Sequence, residues 1–263
     1  MAEFKYKPVD CCIYCMHSSV ELSDEHIIPY GLNGTRILPK SSCLECAKIT
    51  SRIEFDLLRG EMHLVRAALS FQTRRPKKMP TKFPLLITQG GVERKIDVPL
   101  EEHLVILPLP LYQEPSFIKP YNYKNGIALT GVQTLRFGPS PEDLLKKYAA
   151  EKVGFDFLLN HNIFARLLAK IAYSLAVAEL GLEKIGKAYV LPIILGDMTE
   201  AGRWIGTSDE VLVPESADTQ HTSNILTCIA SDELGDKSII IALIRLFANV
   251  PSPRYIVVVG ELR

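Results

Sequence analysis

Net charge is the first thing this sequence lacks. Its 30 Lys and Arg balance 30 Asp and Glu, so the chain as a whole exerts no pull on polyanions, and contact with nucleic acid would need a local cluster. There is no Walker loop, no nucleophile elbow, no internal repeat and no low-complexity tail. These absences remove P-loop phosphate chemistry, α/β-hydrolase chemistry and solenoid architectures from consideration. No long uncharged apolar run is present either. The greasiest stretch, Phe164 to Leu182, is interrupted by Arg166, Lys170 and Glu179, which predicts a buried amphipathic helix rather than a membrane span. The opening MAEFKYKPVD has no apolar signal core and no lipidation signal, so the expectation is a cytoplasmic protein away from membranes. Hydrophobic residues make up 47% of the 263, enough for a sizeable core.

Cysteine is concentrated in one place. Five of the six fall within residues 11–46, and Cys228 stands apart among apolar neighbours, where a core position is expected. Cys12-Ile13-Tyr14-Cys15 and Cys43-Leu44-Glu45-Cys46 form two C-x-x-C pairs, the spacing that lets two thiolates of one tight turn face one tetrahedral zinc. Two disulfides are the competing reading, disfavoured without a secretory context. Cys11 is the spare thiol. The 27 residues between the pairs are more than a plain zinc ribbon needs, so they house something else.

The housed segment, Glu21 to Pro29, reads as a strand that delivers His26 to an edge and stops at a proline. Gly31-Leu32-Asn33-Gly34 is turn-rich. From Ala47 to about Leu69, residues Ile49, Ile53, Leu57, Met62, Val65 and Leu69 fall on one helical stripe. The order is strand, loop, knuckle, helix.

The residues C-I-Y-C, D-E-H-I-I-P and C-L-E-C together resemble the HNH nucleases of ββα-metal fold, in the variety with two C-x-x-C pairs; the resemblance covers roughly residues 11–60. The segments C-A-K-I-T-S-R-I-E, F-A-R-L-L-A-K-I-A-Y-S-L-A-V-A-E-L-G and P-R-Y-I-V-V-V-G are further similar to a group of bacterial proteins with this module at the N-terminus, a likeness that brings no activity with it. The family resemblance implies that His26 is the general base, Glu25 a ligand of a catalytic Mg²⁺ or Mn²⁺, and the zinc on Cys12, Cys15, Cys43 and Cys46 purely structural. An imidazole with a reference pKa near ~6.5 suits the base role, and soft thiolates and hard oxygen ligands select different ions.

Two positions depart from the family. Ala47 stands where a metal ligand is usual on the helix. Thr50, Ser51 and Glu54 share its face, so Glu54 is expected to reach back to the ion. The asparagine that usually precedes the second cysteine pair is replaced by Leu38-Pro39-Lys40; Asn33 is the available stand-in, although its loop favours a turn former.

From Arg59 to Lys82 the chain carries Arg59, Arg66, Arg74, Arg75, Lys77, Lys78 and Lys82 against Glu61 alone. Arg74, Arg75, Lys77 and Lys78 are the expected phosphate contacts. Downstream, Gly90-Gly91 predicts a hairpin, and residues 107–120 read as a proline-rich loop. Ser140 is a candidate cap before Pro141, Gly181 ends the long helix, and apolar runs such as 189–195, 211–213, 225–230, 238–246 and 255–260 read as strands. His103, His161 and His221 are expected to be structural. The fold class is therefore α+β, with an HNH-like zinc module over residues 1–80 and a larger mixed α+β domain over 81–263. The expected function is a divalent-metal-dependent endonuclease acting on nucleic acid, with DNA preferred over RNA and room for a homodimer. The alternative is a catalytically silent zinc-knuckle module that binds nucleic acid or a protein.

Overall fold

The structure, a computed structural model, describes residues 3–18, 20–60, 62–73, 80–122, 124–155, 159–208, 220–232 and 235–263. Along the chain run β1 (Phe4–Lys5), β2 (Leu22–His26), β3 (Arg36–Cys43), α1 (Leu44–Arg59) and α2 (His63–Ala68). They are followed by β4 (Lys82–Gln89), β5 (Val92–Pro99), β6 (Val105–Tyr112), β7 (Leu129–Phe137), α3 (Pro141–Lys147) and β8 (Lys152–Gly154). The last third holds α4 (His161–Leu180), β9 (Ile185–Ala188), α5 (Leu191–Leu195), α6 (Ala201–Trp204), β10 (Ile205–Thr207), β11 (His221–Asp232), β12 (Gly235–Leu246) and β13 (Tyr255–Leu262). Helices and strands mix without βαβ alternation, which is the expected α+β class. Among the described residues no helix is long and apolar enough to cross a membrane.

The first segment folds as strand, strand, helix. β2 pairs antiparallel with β3, and β1 adds to the far edge of β3 in parallel. The β2–β3 register slips between Ser23 and Glu25, around Lys40, whose φ of 46° is an unusual left-handed conformation for a side-chain-bearing residue. Beyond that slip Glu25 is turned inward, to 6% exposure. The helical stripe from Ala47 to Leu69 breaks in two at Gly60, whose N–H caps α1 on the Asp56 carbonyl, and α2 resumes at His63.

At the centre lies α4. The Asn160 side chain accepts from the Ile163 N–H at its start, and Gly181 ends it at φ 94°, a conformation that favours glycine. Its residues from Phe164 to Val177 are all buried except Arg166, because it packs against α1 on one side and against β11, β12 and β13 on another. One buried cluster extends from Cys12 to Val259 through this helix. The five-stranded sheet runs β10-β13-β12-β11, with β9 also on β13.

Several sequence expectations meet the structure directly. The Gly90-Gly91 hairpin forms between β4 and β5, both glycines at positive φ. Ser140 caps α3, accepting from the Asp143 N–H at 3.1 Å. The proline-rich stretch is not wholly loop: residues 105–112 form β6. Pro108 and Pro110 sit two apart on a strand whose only sheet partner among the described residues is β7, so their missing N–H groups can all face away from the ladder. Residues 191–195 form a helix rather than a strand, begun by Pro192 and ended by Gly196 at φ 121°. Cys228 is exposed on β11, the last strand in the sheet order, where Leu226, Thr227 and Cys228 are all exposed in succession. The run 211–213 lies outside the described residues.

His103 and His221 are both structural. His103 is fully buried between the carbonyls of Leu104 and Pro84. His221 pairs its Nε2 with the Leu32 carbonyl at 2.6 Å and accepts the Phe247 N–H on Nδ1 at 3.1 Å. Burial pushes its pKa down to about 4 despite the Leu32 contact. A folded-state pKa below the ordinary value means that the unfolded chain binds the extra proton, so stability is full above pH ~6.5 and falls as pH drops toward 4, by about 3 kcal/mol at most. Urea unfolding of wild type and His221→Gln at pH 7 and pH 4.5 should show the gap between them narrowing at the lower pH. A gap independent of pH would refute this account.

Candidate functional site

The two C-x-x-C pairs meet. Cys12 and Cys15 lie on the turn between β1 and β2, Cys43 closes β3, and Cys46 sits in the first turn of α1. Their Sγ atoms all lie within 4.8 Å of one another, with Cys15 and Cys43 3.6 Å apart. Four sulfurs at ~2.3 Å from one tetrahedral ion are separated by about 3.8 Å, so the cluster is compatible with a structural zinc. Cys11 is outside it, and its Sγ turns to the Cys12 carbonyl at 3.7 Å. The backbone N–H of Cys46 lowers the Cys43 thiol pKa to about 7, while burial raises those of Cys15 and Cys46, so Cys43 is the first of the cluster to become the thiolate that a metal requires. His17 adds a ring nitrogen at 3.2 Å from Cys15 Sγ, the kind of contact that orients a metal-bound thiolate.

Behind the cysteines, Glu25 at the end of β2 and Glu54 on the inner face of α1 converge, as the helical spacing from Ala47 predicts. They do so on the ammonium of Lys170, from the middle of α4. Its Nζ is 2.6 Å from Glu25 Oε1 and 2.9 Å from Glu54 Oε1; it also donates to the His26 carbonyl and lies 3.4 Å from the Ile27 carbonyl. Three ammonium hydrogens thus have three close acceptors. Lys170 is 0% exposed, whereas the Glu54 side chain retains 24%. Burial pushes the Glu25 carboxyl up in pKa, against the pull of Lys170. Burial would lower the lysine, but the two carboxylates outweigh it and hold the ammonium above its ordinary range. Thr50 Oγ1 stands 3.5 Å from Glu25 Oε2, and a hydrogen bond from Tyr14 helps to hold down the same carboxyl; the Tyr14 hydroxyl is also 3.3 Å from that of Ser174. The ring of His26 stands edge-on to Tyr30 at 5.7 Å between centroids.

No family of proteins, no curated protein and no solved structure matches this chain. The site must therefore be judged on its own chemistry. Two carboxylates and two carbonyls are the oxygen donors that a hard divalent ion selects, but such an ion binds at about 2.1 Å. On these oxygens it would claim the space held by Lys170 Nζ. With the lysine seated, the residues do not fit Mg²⁺ or Mn²⁺.

The other predicted site residues are scattered. Arg74, Arg75, Lys77 and Lys78 lie outside the described residues. Arg66, counted with the basic run, is 8% exposed and spent on the carbonyls of Gly31, Leu58 and Gln72. Asn33 is a turn former at φ 62°, bonded to Gln220 and to the Gln72 N–H. On the outer face of α1, Phe55 is 48% exposed with the guanidinium groups of Arg52 and Arg59 at 5.7 and 5.1 Å from its ring centre. Sequence reading missed this aromatic, although its flanking arginines at three before and four after place all three on one helical face. It also missed Lys170 as a site residue. The available signal was a lysine amid apolar residues of a helix buried all round.

Proposed function

We propose that this protein binds nucleic acid through a zinc-stabilised ββα module and does not cut it. The observation that carries the reading is the buried Lys170 ammonium seated between Glu25 and Glu54, in the place that a divalent ion on these carboxylates would need. The missing helix ligand at Ala47 and the missing asparagine point the same way. Support for nucleic acid as the partner comes from the basic run Arg74 to Lys78 that follows α2 in sequence and from Phe55 between two arginines, since an exposed aromatic flanked by guanidinium groups suits stacking on a base beside its phosphates. The four thiols would hold zinc, and the zinc would fix the β3–α1 junction from which this helix projects.

The test has two arms. Labelled duplex and single-stranded DNA, and an RNA of the same sequence, should bind in fluorescence anisotropy with affinity that falls as salt rises. Replacing Arg74, Arg75, Lys77 and Lys78 by glutamine should reduce the slope of log K against log[salt] by about 3; an unchanged slope would remove the run from the interface. Supercoiled plasmid with Mg²⁺ or Mn²⁺ should stay intact. The convergence of Glu25 and Glu54 favours one competing reading, the HNH endonuclease with His26 as base. Nicking that needs the ion and disappears in His26→Ala would establish that reading instead.

A further inference from the structure

We infer that Lys170 is a built-in cation: its ammonium occupies a nest of oxygens whose chemistry is that of a hard divalent-ion site, and a chain deprived of that ammonium binds such an ion there. The nest is made by two elements. β2 supplies the Glu25 carboxylate, followed by the carbonyls of His26 and Ile27, and α1 supplies the Glu54 carboxylate, all directed at one point where Nζ stands. Every donor is oxygen and two are anionic, the set preferred by Mg²⁺, Mn²⁺ or Ca²⁺ and not by zinc among thiolates. The thiol cluster is thus no competitor for the same ion.

Charge argues in the same direction. Glu25 is 6% exposed and Lys170 0%, so bulk water does not solvate the carboxylate in place of the cation. One ammonium leaves the two carboxylates with a surplus negative charge, and that surplus is placed nearer solvent, on Glu54. A divalent ion would balance both. Lys170 reaches the nest from α4, a different part of the chain from the two elements that build it, so truncating its side chain removes the cation while leaving all four oxygens in place. The space of the lost butylammonium group then admits an ion with a water or two. The inference shares Lys170 with the non-cutting reading, but its readout is ion occupancy. Failure to bind nucleic acid would not touch it, and its own failure would leave nucleic-acid binding standing.

The experiment is Mn²⁺ uptake by zinc-loaded wild type and Lys170→Ala, followed by electron paramagnetic resonance of free Mn²⁺ and by thermal melting. Wild type should take up no Mn²⁺ at this nest. Lys170→Ala should bind one ion per chain with Kd below about 1 mM and melt at higher temperature in its presence, and adding Glu25→Gln should weaken uptake at least about tenfold. If Lys170→Ala folds only with Mn²⁺, the inference is supported more strongly still. Three results would overturn it: Mn²⁺ uptake by wild type that is lost on Glu25→Gln, a folded Lys170→Ala that takes up none, or both Lys170→Ala and Lys170→Gln remaining unfolded in millimolar Mn²⁺.

Discussion

Replacing Lys170 by methionine in buffer free of divalent ions should cost about 3–5 kcal/mol, among the largest losses that one substitution can produce in this chain. Methionine fills nearly the same volume, so the loss would come from charge and not from a cavity. It strands Glu25 at 6% exposure with no cation, and burial already pushes that carboxyl toward its protonated form. Glu54, with 24% of its side chain in water, can turn outward and should matter less: Glu54→Gln is expected to cost under about 1 kcal/mol. The decisive comparison is the cycle between Lys170→Met and Glu25→Gln. Removing both partners of a buried pair is far milder than removing one, so the double variant should recover at least about 2 kcal/mol over the sum of the single losses, measured by urea unfolding. Additive losses would mean that the two groups do not share their charge in solution, and the resident-cation account would fall with them.

This site also separates what was legible in the sequence from what was not. The cysteine pairs, the strand between them and the helix after them are local, and their spacings are dictated by turn and helix geometry. Glu54 could be placed opposite Glu25 for the same reason, since seven residues from Ala47 return nearly to the same helical face. Lys170 could not. It comes from α4, 116 residues beyond Glu54, and no periodicity within one helix says which other element its buried face will meet. What the sequence did show was a charge in an apolar helix, which argues against a membrane span and calls for a buried counter-charge. The same limit applies elsewhere. Pro108 and Pro110 look like breakers until β6 is seen, among the described residues, to pair with β7 alone, and Cys228 looks like core until β11 is seen to end the sheet with Leu226, Thr227 and Cys228 all exposed.

Loss of a zinc held by the four thiols should be the other severe perturbation. Zinc in structural sites contributes about 10–16 kcal/mol to the folding of isolated finger peptides near neutral pH, and although the module here shares a larger core, its entry turn depends on the same four sulfurs. Ile13 and Tyr14, between Cys12 and Cys15, are buried against α4: the Ile13 carbonyl accepts the Tyr173 hydroxyl at 2.7 Å, and the Tyr14 hydroxyl is 3.3 Å from that of Ser174 and hydrogen-bonds Glu25. Releasing the sulfurs therefore loosens the knuckle and the cover of the Lys170 nest together. The native protein should contain one zinc per chain by elemental analysis, and chelation or Cys43→Ser should remove it and lower the melting temperature by at least about 10 °C, the equivalent of several kcal/mol for a chain of this size. Cys11→Ser supplies the control, because that thiol stands outside the cluster: it should keep the zinc and change stability by less than about 0.5 kcal/mol. If Cys11→Ser lost the metal as readily as Cys43→Ser, the ligand set would have to be redrawn around the wider Cys11–Cys15 spacing. If Cys43→Ser melted like wild type, the cysteine cluster would be a packing feature, and the β3–α1 junction would owe its rigidity to the core alone.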